Sequence, residues 1–289
     1  MRERSSAMQN FPPQHQDRQP GFEYVMHPLP ISDNPAYNGS GKLKNKAILI
    51  TGGDSGIGRA AAIAFAKEGA NIAISYYDEH QDAEETKKKV EACGASCILL
   101  PGDLREQNYC RKIITDTLTA FGKLNVLVNN AAVQFVQTRL EDISPEQLET
   151  TFRINIFSFF YVTQAALPHL QEGDSIINTA SIVAYQGNKE LVDYSATKGA
   201  IVTFTRSLSQ QLIPRGIRVN AIAPGPIWTP LIPASFSAEE VAKFGEQVPM
   251  KRAGQPYELA PAYVYLASDD SSYVTGQTIH VNGGAVING

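Results

Sequence analysis

From Lys46 onward, short apolar runs of strand length alternate with longer segments of helix length, almost to the end of the chain. The runs are Ala47 to Ile50, Asn71 to Tyr76, Ser96 to Leu100, Leu124 to Val128, Ser175 to Thr179, Arg218 to Ile222 and Thr278 to Val281. Several are apolar without alternation, which suits strands covered by helices on both faces. Strand and helix in turn is the signature of βαβ units, so the expected fold class is α/β with a parallel sheet. Between the first two runs, Gly58 to Gly69 is Ala-rich and ends on a glycine suited to close a helix.

Residues 1–45 break this pattern. They carry Pro12, Pro13, Pro20, Pro28, Pro30 and Pro35, several Gln and no sustained periodicity. Alone, such a segment cannot bury enough apolar surface to offset its ordering entropy. It is either a disordered arm or a strap lying on the core or a neighbouring subunit through Phe11, Phe22, Tyr24, Met26 and Leu29. The aromatics favour docking for the stretch after Gly21, with the first ten or so residues loose. The alternation occupies residues 46–289, 289 − 45 = 244 of them.

Composition narrows the function classes. The 289 residues hold 25 Lys and Arg against 29 Asp and Glu, a net charge of −4 that offers no footprint for nucleic acid. No run approaches the roughly 18 apolar residues of a membrane span. Even Ala60 to Ala73 is broken by Lys67, Glu68 and Asn71. The polar start lacks the apolar stretch of a secretory signal, and a cytoplasmic location is expected. Cys93, Cys97 and Cys110 are odd in number and lack a second Cys/His cluster, and the five histidines are scattered, so no metal site is expected.

After the first strand comes Thr51-Gly52-Gly53-Asp54-Ser55-Gly56-Ile57-Gly58, running into the Ala-rich helix. Strand, glycine loop and helix in that order let backbone amides and a helix N-terminus face a pyrophosphate. Further on, Tyr194 and Lys198 stand four residues apart, on one face if the segment is helical. A phenol with a pKa of about 10 is a poor base at neutral pH, but a neighbouring cation favours the phenolate.

The loop spacing Gly52-x3-Gly56-x-Gly58 resembles that of the short-chain dehydrogenase/reductase family, and the likeness extends over residues 46 to 285. Asn129-Asn130-Ala131-Ala132 is similar to the family's N-N-A-G, with Ala132 in place of glycine. Val274-Thr275-Gly276 and Asn282-Gly283-Gly284 resemble its C-terminal signature. The resemblance implies a single-domain, doubly wound, Rossmann-like, seven-stranded parallel sheet. It also implies hydride exchange between a nicotinamide coenzyme and an alcohol or carbonyl substrate.

The same resemblance gives each residue a role. Ser181, with 194 − 181 = 13, matches the hydroxyl that binds the substrate oxygen, and Tyr194 matches the proton donor and acceptor. Lys198 would lower the tyrosine pKa and hold the nicotinamide ribose, and Asn155 would support a water chain to the lysine. The coenzyme would lie against Gly52, Asp54, Ser55, Gly56, Ile57 and Gly58. At the adenosine end it would meet Tyr76, Tyr77, Asp103 and Leu104, and near the nicotinamide Asn130, Ala131, Ala132, Pro224, Gly225, Ile227 and Thr229.

Tyr76 and Tyr77 occupy the places where relatives carry the acid that selects NAD or the arginine that selects NADP. A 2′-phosphate needs cationic partners, and Asp54, Asp78 and Glu79 oppose it, so NAD is favoured over NADP even with Arg59 nearby. Substrate choice falls to residues 183–190 and to a lid at 226–257, with Trp228 either covering the pocket or packing in the core. A homotetramer is the family's usual assembly, and the apolar stretch Phe157 to Leu170 suits it. Two alternatives stand: a dinucleotide-binding redox sensor without turnover, which the complete Ser181, Tyr194, Lys198 and Asn155 set disfavours, and an acyl-carrier-protein ketoreductase, which the acidic balance disfavours.

Overall fold

In the computed structural model, which describes residues 11–285, seven parallel strands form one sheet in the order β3-β2-β1-β4-β5-β6-β7. The strands are β1 (Ala47–Thr51), β2 (Asn71–Tyr76), β3 (Cys97–Pro101), β4 (Val126–Asn129), β5 (Ser175–Thr179), β6 (Arg218–Pro224) and β7 (Thr278–Val281). Three of the seven coincide with the expected runs. β4 begins two residues late, because Asn125 donates and accepts as a corner: its amide reaches Ala47 O and its side-chain oxygen takes the Ala47 amide.

Each strand residue chooses a face by alternation. Ile48, Ile50, Ile72, Ile74, Val126 and Val128 pack into one apolar layer, and Leu49, Ala73, Leu127 and Ile176 into the other. Helices α1 (Gly56–Lys67) and α2 (His80–Ala92) cover the first side together with α9 (Ala260–Ala267). Helices α3 (Gln107–Phe121), α5 (Ser158–Ala166) and α7 (Val192–Leu212) cover the second. Both faces are therefore dry, which accounts for strands that read as continuous apolar runs.

α4 (Pro145–Phe152) starts where Ser144 accepts the Gln147 amide at 3.1 Å with Pro145 in the first turn. It passes into α5 through a single widened π turn, Arg153–Phe157. The helix expected over Phe157 to Leu170 ends earlier, at Ala166, where the chain tightens into a 3₁₀ turn at Pro168. Two short helices, α6 (Val183–Gln186) and α8 (Ala238–Ala242), flank the crevice.

The arm docks earlier than expected, and through two of the five residues named for it. Phe11 and Met26 are buried in a small apolar cluster with Trp228, Ile232 and Val241, whereas Tyr24 and Leu29 face outward. Past the cluster it runs along α1, where Lys67 binds Asp33 at 2.5 Å and Tyr37 pairs with Glu68. The looseness expected of the first ten residues lies outside the described range.

Candidate active site

Strand order reverses its sequence direction between β1 and β4, so the loops leaving these strands part and open a crevice at their carboxyl ends. Thr51 Oγ1 accepts the amides of Asn130 and Ala131 at 2.9 and 3.2 Å. Asn130 in turn donates to Thr51 O and Gly52 O and accepts from Thr179 Oγ1. The ends of β1, β4 and β5 are thus tied by one side chain.

The glycine loop is shaped by close approach. A Cβ on Gly58 would stand 1.9 Å from Gly52 O, so only glycine lets the first turn of α1 fold against the loop. Gly56 holds φ +51, a left-handed conformation that costs glycine little. α1 has no acidic residue of its own in its first turn, and the arm supplies one. Glu23 Oε2 accepts the Gly56 amide at 2.7 Å while Oε1 pairs with Arg59. Asp82 accepts the Glu23 and Tyr24 amides at 2.7 and 3.0 Å. Arg59 also donates to Asp54 O, Thr86 Oγ1 and Asp82 O, so it is fully committed beneath the loop.

A cavity of about 690 Å³ opens over the crevice. The glycine loop contributes Gly52, Asp54, Ser55, Gly56 and Ile57 to its wall, the tip of β2 Tyr76 and Tyr77, and the end of β3 Asp103 and Leu104. Asn130, Ala131 and Ala132 line it after β4, and Pro224, Gly225, Ile227 and Thr229 after β6. Ser181, Tyr194 and Lys198 face the same space. Two expected residues do not: Gly58 is spent on the loop contact, and Asn155 lies behind the wall. Asn155, in the π turn, gives its side chain to Val133 N and O at 2.9 and 2.8 Å and to Thr197 at 3.2 Å. Its side chain thereby clamps the loop after β4 to α7.

Tyr194 and Lys198 share one buried face of α7. Burial pushes the Tyr194 phenol up to about 12, against the Ser181 hydroxyl, which pulls it down. Burial lowers the Lys198 ammonium to about 7. Lys198 Nζ donates to Thr179 O at 2.9 Å and lies 5.4 Å from the centre of the Tyr194 ring. The ammonium is aimed at a carbonyl, and desolvation dominates the shift of the phenol.

Trp228 is fully buried, stacked on Phe11 with centroids 3.7 Å apart, and its Nε1 donates to Pro28 O at 2.9 Å. Of the two readings offered for it, packing is the one realised. Its neighbours Ile227, Thr229, Leu231 and Ile232 face the cavity, as do Val183, Gln186 and Asn188 across from them.

Sequence reasoning missed the arm residues Gln19, Pro20 and Gly21 in this wall, and it treated Glu79 only as a source of repulsion. Glu79 is buried and lines the adenosine end; its Oε2 accepts the Tyr77 amide at 3.1 Å, and its Oε1 has no partner among the described residues. It stands 79 − 76 = 3 residues past Tyr76, the place where relatives carry the acid that selects NAD, and so brings a carboxyl to the same end of the cavity from the next turn of chain. An orphaned buried acceptor at one end and a glycine cradle at the other fit a nicotinamide dinucleotide.

The buried acids beneath the loop set a pH dependence. Burial outweighs Arg59 and lifts Glu23 to about 7, and burial beside Asp54 lifts Glu79 to about 8. Asp54 and Asp82 move in the same direction, chiefly by desolvation. The folded chain thus holds protons that the unfolded chain releases above about pH 4.5. The stability these groups contribute is full below that pH and is lost as pH rises through 7 to 8. The urea midpoint is expected to fall between pH 5 and 7.5, and Glu23→Gln should flatten the slope. A midpoint that rises over this window in the wild type would contradict the cluster's assignment.

The phosphate-cradling loop at the switch point, and a tyrosine, lysine and serine grouped in the cavity it opens on, define the site of a dinucleotide-dependent oxidoreductase. The chain belongs to the short-chain dehydrogenase/reductase family. A family model described as enoyl-(acyl carrier protein) reductase matches residues 52–286. The chain is 54% identical to a glucose and ribitol dehydrogenase of Daucus carota, over 96% of this chain and 98% of that one. It is 52% identical to NADPH-dependent aldehyde reductase 1, chloroplastic, of Arabidopsis thaliana, over 95% and 98%. A crystal structure of a short-chain dehydrogenase from Burkholderia cenocepacia in complex with NADP superposes with a TM-score of 0.79 at 29% identity, covering 84% of this chain and 98% of that one. The protein is an NAD(P)-dependent oxidoreductase acting on alcohol and carbonyl groups. Among the described residues no helix is long and apolar enough to cross a membrane.

Proposed function

We propose that the chain interconverts aldehydes, ketones or sugars with their alcohols, using NAD in preference to NADP, as a cytoplasmic homotetramer. The observation that carries the reaction is the pair of hydroxyls, Ser181 and Tyr194, facing one cavity beside Lys198. The coenzyme, when bound, supplies or accepts the hydride. In the reducing direction Tyr194 gives its proton to the substrate oxygen while Ser181 donates a hydrogen bond to the same atom. A phenol pushed to about 12 is protonated at neutral pH, as a donor must be. Lys198, one turn away, stabilises the phenolate left behind.

The preference for NAD is supported by the unpartnered oxygen of Glu79, an acceptor suited to the hydroxyl that a 2′-phosphate removes. Gln134, Gln186 and Asn188 give the cavity polar groups for a hydroxylated substrate, in keeping with the sugar and aldehyde activities for which the plant relatives are named. Half-exposed Phe157 and Phe160 on the α5 side support association.

A panel of aldehydes, ketones and sugars assayed with NADH and NADPH tests this reading. The expected result is turnover with kcat/KM for NADH roughly tenfold or more above that for NADPH, the scale of one hydrogen bond kept or lost. Equal or inverted values would overturn the coenzyme assignment.

A further inference from the structure

Arg18 reaches the tip of β2 from the arm, 78 − 18 = 60 residues before the acid it meets there. Its guanidinium lies over the Phe22 ring, 3.6 Å from the centroid, and Nε donates to Pro20 O at 2.6 Å. Nη2 pairs with Asp78 and stands 3.9 Å from Glu79 Oε1. The side chain is therefore held in one pose before any ligand arrives.

The other cations at this end of the cavity are committed. Arg105 holds Asp103 through Nε at 2.8 Å and Nη2 at 2.6 Å, and Arg59 is buried among four oxygen partners on Asp54, Thr86, Asp82 and Glu23. Arg18 differs from both. Its anionic partner Asp78 is 48% exposed, and among the described residues its Nη1 donates to no acceptor. A phosphate binds a planar guanidinium through two parallel hydrogen bonds, and it carries more charge than a carboxylate.

We propose that Arg18 is a coenzyme-specificity residue, a receptor for a 2′-phosphate that Asp78 keeps occupied, so that the arm and the tip of β2 together set the preference for NAD. The position follows from Glu79. A ribose hydroxyl donating to its orphaned Oε1 lies a hydrogen-bond length from that atom, and Arg18 Nη2 stands 3.9 Å from the same atom. A phosphate carried on that hydroxyl comes within the guanidinium's reach. What prevents capture is Asp78, which both holds Arg18 and repels a second anion.

The inference rests on the NAD reading, and the test separates the two. It reads the ratio of kcat/KM for NADPH over NADH in five enzymes: wild type, Asp78→Asn, Arg18→Ala, and Asp78→Asn combined with Arg18→Ala or with Arg18→Lys. It also reads competitive inhibition against NADH by adenosine 2′-monophosphate, with adenosine 5′-monophosphate as the control. Asp78→Asn should raise the ratio about tenfold or more and tighten the 2′-monophosphate inhibition similarly, without tightening the 5′-monophosphate. Adding Arg18→Ala should erase both gains, and Arg18→Lys in its place should restore part of them.

Gains that persist when Asp78→Asn is combined with Arg18→Ala would overturn the proposal, because the effect would then be lost repulsion alone. No gain in Asp78→Asn would also overturn it. A wild type that prefers NADPH would sink the NAD reading by itself. In that case a higher KM for NADPH in Arg18→Ala still supports the receptor, and an unchanged KM removes it.

Discussion

Tyr194→Phe is expected to lower kcat by roughly 10² to 10⁴, the usual contribution of a positioned proton donor, while the dissociation constant for NADH stays within about threefold. The substitution removes one oxygen from a side chain that is 7% exposed and sits on the buried face of α7. The ring, its packing and the coenzyme cradle remain. Ser181 still faces the cavity and can still hydrogen-bond the substrate, but a serine hydroxyl has no comparable acidity to offer. The measurement is steady-state turnover on a responsive aldehyde beside a fluorescence titration of NADH. Retention of activity within a few-fold would show that the proton comes from elsewhere.

Trp228→Ala should destabilise the fold by about 3–5 kcal/mol, the scale for removing a large buried aromatic side chain. Against a total stability of about 5–15 kcal/mol this is a large fraction, and the melting temperature should drop on the order of 10 °C. The size of the effect follows from what the indole does. It is fully buried, it stacks on Phe11 at an interplanar angle of 10°, and its only polar atom is satisfied by Pro28 O. Losing it leaves a cavity, an unpaired carbonyl and an arm whose main apolar anchor is gone. Limited proteolysis should then cut within residues 11–30 much faster than in the wild type. A melting temperature unchanged within 2 °C or so would mean that the cluster around Trp228 contributes little.

These expectations draw unequally on the sequence. β2, β5 and β7 are legible to the residue, because polar or loop-forming residues flank each run and end it sharply. Most of the cavity wall was legible as well, since Gly52 to Ile57, Ser181, Tyr194 and Lys198 lie where strand ends deliver them. What local pattern cannot carry is a contact between segments far apart in the chain. The ion pair of Glu23 with Arg59, the stacking of Phe11 on Trp228 and the approach of Arg18 to Asp78 join the arm to residues 36 to 217 positions away. No periodicity encodes them. Electrostatic balance is hidden for a related reason. Proximity of Lys198 suggested a lowered tyrosine pKa, but the sign depends on burial and on where the ammonium points, and both are tertiary facts.

Docking of Phe11 on Trp228 also has a consequence in time. The two residues are 228 − 11 = 217 positions apart, so at about 5–20 residues per second the arm leaves the ribosome roughly 10–40 s before its anchor exists. Through that interval it must stay soluble and unpaired. Its prolines, which supply no amide hydrogen to a strand ladder, and its polar spacing suit such a wait. The composition that set the arm apart from the rest of the chain is thus what lets a late-forming wall of the active site be made from residues synthesised long before it.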